Sequence, residues 1–189
     1  MLPSLRCLLN TLNVKKSDLA LIAVALGPGS FTGLRVGLSV AKGLALGLNL
    51  PIVGVPSLPI VAGRARGWPG TVCALLSDHP KRAYVAWRNR DGALSGPQES
   101  ELDELKVQLE QAASPVLLIG PGTQKVFRAL EAAPTLYAAE DALCRPSGLD
   151  VARYGIALFN QRGGDDLATL APLYCAAPAI DPQAKKTMR

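Results

Sequence analysis

The stretch Gly27-Pro28-Gly29-Ser30-Phe31-Thr32-Gly33-Leu34-Arg35-Val36-Gly37 decides how this chain is read, because it joins a continuous apolar run to a glycine-spaced helix. Leu19 to Leu26, just before it, has the pattern of a strand covered on both faces, as in parallel sheets, and Gly27-Pro28-Gly29 ends that strand. A long helix is expected from about Thr32 to Leu48. A second buried strand follows at Ile52-Val53-Gly54-Val55, with Ser57 placed to cap a helix beginning near Leu58. Strand, helix, strand, helix predicts parallel pairing in an α/β fold.

A glycine turn between strand and helix offers free backbone N–H groups and the positive end of the helix dipole. Gly27, Gly29, Ser30, Thr32 and Gly33 are therefore a candidate phosphate-binding turn. The common nucleotide fingerprints do not fit it. A P-loop needs Lys and then Ser or Thr directly after its last glycine, where Leu34-Arg35 stand. The dinucleotide fingerprint is one residue shorter and needs an acid about twenty residues on, where Ile52 to Val55 are apolar. Within the helix, Gly33, Gly37, Gly43 and Gly47 each cost on the order of 1 kcal/mol relative to alanine. At roughly 100° per residue, Gly33, Val36, Gly37, Val40, Gly43, Leu44 and Gly47 share one broad face. Arg35, Ser39 and Lys42 form a narrow polar stripe opposite. The helix is thus expected to be packed on most sides, with another backbone close to its glycines. Periodicity leaves open whether that neighbour is the chain's own sheet or a second protein.

Working outward, Leu5 to Leu12 reads as a short amphipathic helix closed by Asn13. Downstream, Thr71 to Leu76 and Ala83 to Trp87 suit an antiparallel pair, and Asp91-Gly92 offers a turn. Leu102, Leu105 and Leu109 recur at helical spacing from Glu101 to Ala112. Val116 to Ile119 is a short buried strand ended by Gly120-Pro121-Gly122, with a helix expected from Thr123 to Ala132 and another from Leu149 to Gln161. The repeated strand, Gly-Pro-Gly turn and helix suggest two similar lobes, 1–67 and 68–189.

The chain has 189 residues, 49% of them apolar, enough for a packed core. No apolar run reaches the roughly 18 residues of a membrane span, and the first residues lack a leader pattern, so a cytoplasmic protein is expected. Cys7, Cys73, Cys144 and Cys175 are far apart and His79 is alone, which reads as buried free thiols and no zinc site. A net charge of +5 suits an anionic partner. Lys81, Arg82, Arg88 and Arg90 on the hairpin are candidates for RNA contact, against the plainer reading of a solvated basic hairpin. Asp78 and His79 are adjacent, a spacing that points side chains apart on a strand.

The run from Gly27 to Gly37, continued by Ala41-Lys42-Gly43-Leu44-Ala45 and by Pro51-Ile52-Val53-Gly54-Val55-Pro56-Ser57-Leu58, resembles the signature of the TsaB (YeaZ) family. Weaker agreement extends to Asp78 and to Pro172-Leu173-Tyr174. The resemblance implies a duplicated actin/Hsp70-like (ASKHA) fold. It also implies a non-catalytic scaffold subunit that pairs with the catalytic homologue TsaD, assisted by a TsaE-like ATPase, in threonylcarbamoyladenosine modification of tRNA position 37. On this basis Leu5, Leu8, Gly33, Gly37, Val40, Ala41 and Leu44 would form the partner face, and tRNA would be met indirectly. ATP and metal would sit on partner subunits, none held strongly by this chain; a homodimer is a further candidate assembly. TsaD carries an H-x-x-x-H metal motif that one histidine cannot supply. Family members begin with a strand, an Ile-Asp-Thr-Ser-like turn and a hairpin before the helix placed at Leu5, so the first lobe is expected to lack its initial strands. The family's Tyr-Leu-Arg is replaced by Tyr174-Cys175-Ala176. The rival reading is an actin/Hsp70-like nucleotide-dependent phosphotransferase or ATPase that uses the Gly27 to Gly33 turn.

Overall fold

Two strand–helix–strand units, each cornered by Gly-Pro-Gly, organise the computed structural model, which describes residues 2–77, 79–130, 134–140 and 143–174. After helix α1 (Leu2–Thr11), the first unit is β1 (Ile22–Gly27), α2 (Phe31–Leu48) and β2 (Ile52–Pro56). Ser30 starts α2 by accepting the Gly33 N–H at 3.3 Å on its hydroxyl, and Asn49 ends it in the left-handed region at φ 51°. β1 and β2 pair in parallel from Ile22 opposite Ile52 to Ala25 opposite Val55. In α3 (Ser57–Arg64), Ser57 already lies inside the first turn. The expectation that Ser57 caps this helix is therefore corrected: Pro56, with φ −62°, occupies the cap position and no side chain caps there.

The second sheet runs β5-β4-β3-β6-β7, with β3 (Thr71–Leu76), β4 (Arg82–Arg88), β5 (Leu94–Glu101), β6 (Val116–Ile119) and β7 (Leu136–Ala138). β3 and β4 form the expected antiparallel pair, while β6 joins β3 in parallel and β7 joins β6 in parallel. β5 was not expected, because Gly96-Pro97 and a polar run discourage a strand. It exists as an edge strand whose pairing with β4 shifts register between Val85 and Trp87, where the proline needs no ladder partner. Helix α4 (Leu102–Gln111) buries Leu105 and Leu109, and α5 (Thr123–Ala129) links β6 to β7. The unit β6–α5–β7 thus repeats β1–α2–β2. Gly27 at φ 104° and Gly120 at φ 130° occupy the equivalent strand ends, in a backbone region where side chains are strained.

Helix α6 (Gly148–Arg162) returns to the first sheet, which is consequently covered on both faces. Ile22 and Val24 meet Ala41, Ala45, Leu167 and Leu170 on one side. Leu21 and Ala23 meet Ile60, Val151, Tyr154 and Phe159 on the other. Close approach is permitted by Gly155, where an added β-carbon would stand 2.5 Å from that of Ala23. The edges differ. β6 uses its free edge to bind β3, whereas the equivalent edge of β1 has no strand partner among the described residues. Ile22 to Ala25 accordingly remain half-buried while Ile52 to Val55 are buried.

Candidate partner face and the glycine turn

Helix α2 buries only Leu38, Ala41 and Ala45, which pack toward a sheet two strands wide. The expectation of a helix packed on most sides is corrected, because so narrow a sheet fills a single stripe. Ala41, 7% exposed against Ala45 and Ile52, is core and is removed from the partner face. The glycines lie elsewhere. A β-carbon added at Gly37, Gly43 or Gly47 would meet nothing within 4 Å, and one at Gly33 would meet only Ser30. Val40 and Leu44 are half-buried, Val36 is 53% exposed and Leu46 75% exposed. Nearby in sequence, α1 has no buried residue: Leu5 is half-buried, Leu8 exposed, and Cys7 is exposed instead of buried as expected.

The glycine turn is filled by the chain itself. Gly27 and Pro28 are buried, and the Leu34 side chain lies 2.7 Å from a β-carbon placed on Gly27 and 3.8 Å from one on Gly29. The Ser30 hydroxyl is engaged in its cap, and Thr32 is exposed. The carboxy-terminal segment closes over this corner, with the Leu173 N–H donating to Leu26 O at 2.9 Å. Arg35 Nε donates to the Tyr174 hydroxyl at 2.9 Å, and its guanidinium lies 3.9 Å from the Phe31 ring centre. This Phe31, Arg35 and Tyr174 cluster was missed in the sequence. The spacing of Phe31 and Arg35 on one helical turn was visible, but their partner is far along the chain.

The same segment ties down the outer edge of β2. The Asp165 N–H donates to Ile52 O at 2.7 Å, and its Oδ2 accepts the Gly54 N–H at 2.7 Å and an Arg162 N–H at 3.1 Å. Arg162 first, and the Gly54 N–H with it, hold the Asp165 carboxyl below its ordinary range against partial burial. A lowered folded pKa stabilises above the unfolded value, near 3.9, and that contribution is lost as pH falls through the folded value. Asp165→Ala is expected to cost about 2 kcal/mol at pH 7 in urea unfolding, chiefly through the unpaired Gly54 N–H. The exposed Arg162 partner adds little. The gap between variant and wild type should narrow below pH 4; a gap constant from pH 7 to 2.5 would dismiss the ionised tie.

The hairpin cations do not form one patch. Arg82 pairs with Glu99 at 2.9 Å at one end of β4; at the other, Arg88 Nη2 donates to Ala65 O at 3.0 Å and Arg90 Nε to Pro69 O at 2.9 Å. Asp78 and Cys175 lie outside the described residues, and His79 Nδ1 accepts the Lys81 N–H within a turn. Cys73 and Cys144 are buried, and burial pushes the Cys73 thiol far up. Among the described residues no three His, Cys, Asp or Glu side chains gather as metal ligands. By length and composition α2 is apolar enough to cross a membrane, but it docks Leu38, Ala41 and Ala45 on its own sheet and carries Arg35 and Lys42.

The repeated units and paired sheets define a duplicated ASKHA-type α/β protein of the actin/Hsp70 class. The family model described as TsaD, tRNA N6-adenosine threonylcarbamoyltransferase, matches residues 1–94. TsaB, the tRNA threonylcarbamoyladenosine biosynthesis protein of Bacillus subtilis, is 32% identical over 126 residues, covering 65% of this chain and 55% of its own length. TsaB of Escherichia coli is 30% identical over 130 residues, covering 65% of this chain and 56% of its own. A solved structure described as similar to peptidase YeaZ from Pseudomonas aeruginosa superposes with TM-score 0.76 at 25% identity, over 93% of this chain and 82% of its own. YeaZ from Pseudomonas aeruginosa gives TM-score 0.67 at 26% identity, over 91% and 82%. The chain is similar to TsaB (YeaZ) proteins in both sequence and fold. It spans little more than half the length of the curated relatives it matches.

Proposed function

We propose that this chain is a non-catalytic, cytoplasmic scaffold subunit that pairs with a TsaD homologue in threonylcarbamoyladenosine modification of tRNA. A TsaE-like ATPase would assist, with ATP and metal held by those partners. The observation that carries this reading is the unfilled glycine face of α2. Glycines in a helix cost stability, and at Gly37, Gly43 and Gly47 no neighbour among the described residues offsets that cost. A close-packed partner helix would. Its candidate residues are Leu5, Leu8, Gly33, Gly37, Val40 and Leu44, without Ala41. The phosphotransferase reading is disfavoured because Leu34 and the 165–174 segment crowd the turn that would cradle phosphate.

Reconstitution tests this. With a TsaD homologue, the TsaE-like ATPase, ATP, an activated threonylcarbamoyl donor and substrate tRNA, addition of the chain should switch on threonylcarbamoyl transfer, and the chain should co-elute with TsaD in gel filtration. Transfer by the chain alone, or elution as a homodimer that ignores TsaD, would refute the proposal.

A further inference from the structure

Residues 165–174 follow α6 as a strap that is neither helix nor strand, and they run from the outer edge of β2 to the start of α2. One end is held by the backbone and carboxylate of Asp165 on Ile52 and Gly54. In the middle, Asp166 folds a turn. Its Oδ1 accepts the Thr169 N–H at 2.8 Å and the Thr169 hydroxyl at 3.0 Å, and its carbonyl accepts the Leu170 N–H at 3.0 Å. The turn carries Leu167 and Leu170, which pack into the cluster formed by Ala41 and Ala45 of α2 and Ile52 of β2. Leu170 approaches the sheet over Gly54, where an added β-carbon would stand 2.8 Å from its Cδ1. The other end is fastened at the surface. Beyond the Leu173 bond to Leu26, the Tyr174 ring lies 5.3 Å from that of Phe31 and its hydroxyl accepts the Arg35 Nε–H. The Arg35 guanidinium is 3.9 Å from the Phe31 ring centre and 5.8 Å from that of Tyr174.

Helix α2 depends on this strap because its own seat is small. It stands on two strands and buries only Leu38, Ala41 and Ala45. The leucines of the strap extend that single stripe, and without them little resists a roll of the helix on the narrow sheet. Arg35 lies on the polar stripe of α2, away from Gly37 and Gly43, so the clasp acts on the glycine face through the helix and not by touching what binds there. A partner packed against glycines requires close and exact approach of the two helices, which a roll destroys.

We propose that residues 165–174 are a conformational latch: fastened by Arg35 and Tyr174, they hold α2 in the seat that presents its glycine face, and released, they let the helix roll and lose its partner. The latch acts on the partner face proposed above and presupposes it. Apparent affinity scales with the fraction of chains in which the binding-competent seat is occupied, so the strap controls pairing without contributing to the interface.

Hydrogen exchange of the isolated chain, read by mass spectrometry, is compared with TsaD affinity from titration calorimetry for the wild type, Tyr174→Ala, Tyr174→Phe and Leu170→Ala. Both alanine variants should speed exchange across residues 33–42 of α2 about fivefold or more, leave the β3–β7 sheet at its wild-type rate, and weaken TsaD binding by a similar factor. Tyr174→Phe keeps the ring against Phe31 and should fall between wild type and Tyr174→Ala. A purely structural contribution would speed exchange without moving affinity, and that outcome would overturn the latch. Unchanged exchange of α2 in the two alanine variants would do the same. Leu170 packs on the core side of α2, out of reach of a partner on the glycine face. Loss of affinity in the Tyr174 variants alone would therefore mean direct contact and would also overturn it. A wild-type chain that binds no TsaD defeats the pairing proposal and the control of it, while the exchange rates still show whether the strap seats the helix.

Discussion

Gly37→Leu is expected to raise the stability of the isolated chain while weakening its association with a TsaD homologue ten- to a hundredfold. The first half follows from the open space around Gly37, where an added β-carbon meets nothing within 4 Å among the described residues. Replacing a helical glycine then gains about 0.8 kcal/mol of helix propensity, worth a rise of roughly 2 °C in Tm for a chain of this size. The second half follows if a partner backbone occupies that space. Overpacking a close helix contact costs roughly 1–3 kcal/mol, and about 1.4 kcal/mol is tenfold in affinity. The two effects have opposite signs, which separates interface from core. Thermal melting of the variant alone, beside titration calorimetry with TsaD, reads both. A fall in Tm would place the face in the chain's own core, and unchanged affinity would move the interface away from α2.

Gly155→Leu is expected to be the most damaging single change in the first lobe. The helix-propensity gain is again about 1 kcal/mol, but here it loses. Even the first added carbon would sit 2.5 Å from the Ala23 β-carbon, and Val55 is also close. A leucine would have to push α6 away from β1, exposing Val151, Tyr154 and Phe159, so a loss of about 3 kcal/mol or more is expected. Urea unfolding measures it. A milder pair sharpens the cause: Gly155→Ala should be rescued in part by Ala23→Gly, a positive coupling that only direct contact produces. Additive effects of those two changes would show that α6 does not rest on β1 at this point.

Much of the fold was legible because it is written in local patterns. The apolar run at Leu19 to Leu26, the glycine corners and the leucine spacing of α4 each specify their element without reference to the rest of the chain. What escaped was decided at long range. β5 is a strand because β4 offers it an edge, not because Gly96-Pro97 favours extension. Ala41 belongs to the core and not to the partner face that the resemblance implied, since a family signature does not say which residues of α2 meet a two-stranded sheet. The Phe31, Arg35 and Tyr174 cluster depends on a contact across 139 residues of chain, which no periodicity reports. The open state of the glycines at Gly37, Gly43 and Gly47 likewise required coordinates, because close packing and a missing neighbour leave the same spacing in sequence.

The return of α6 and the 165–173 segment to the first sheet also fixes a schedule for synthesis. β1 and β2 leave the ribosome early, yet one of their faces and the outer edge of β2 are completed only by the last-made elements. At about 5–20 residues per second, the nascent β1–β2 pair waits on the order of ten seconds for its cover. The β3–β7 sheet is emerging during that interval and meets α4 and α5, its own covering helices, as it forms. Pulse-labelled nascent chains arrested before α6 should therefore show a protease-resistant second sheet beside a protease-sensitive first one. The sheet that is synthesised first is expected to be the last to become native.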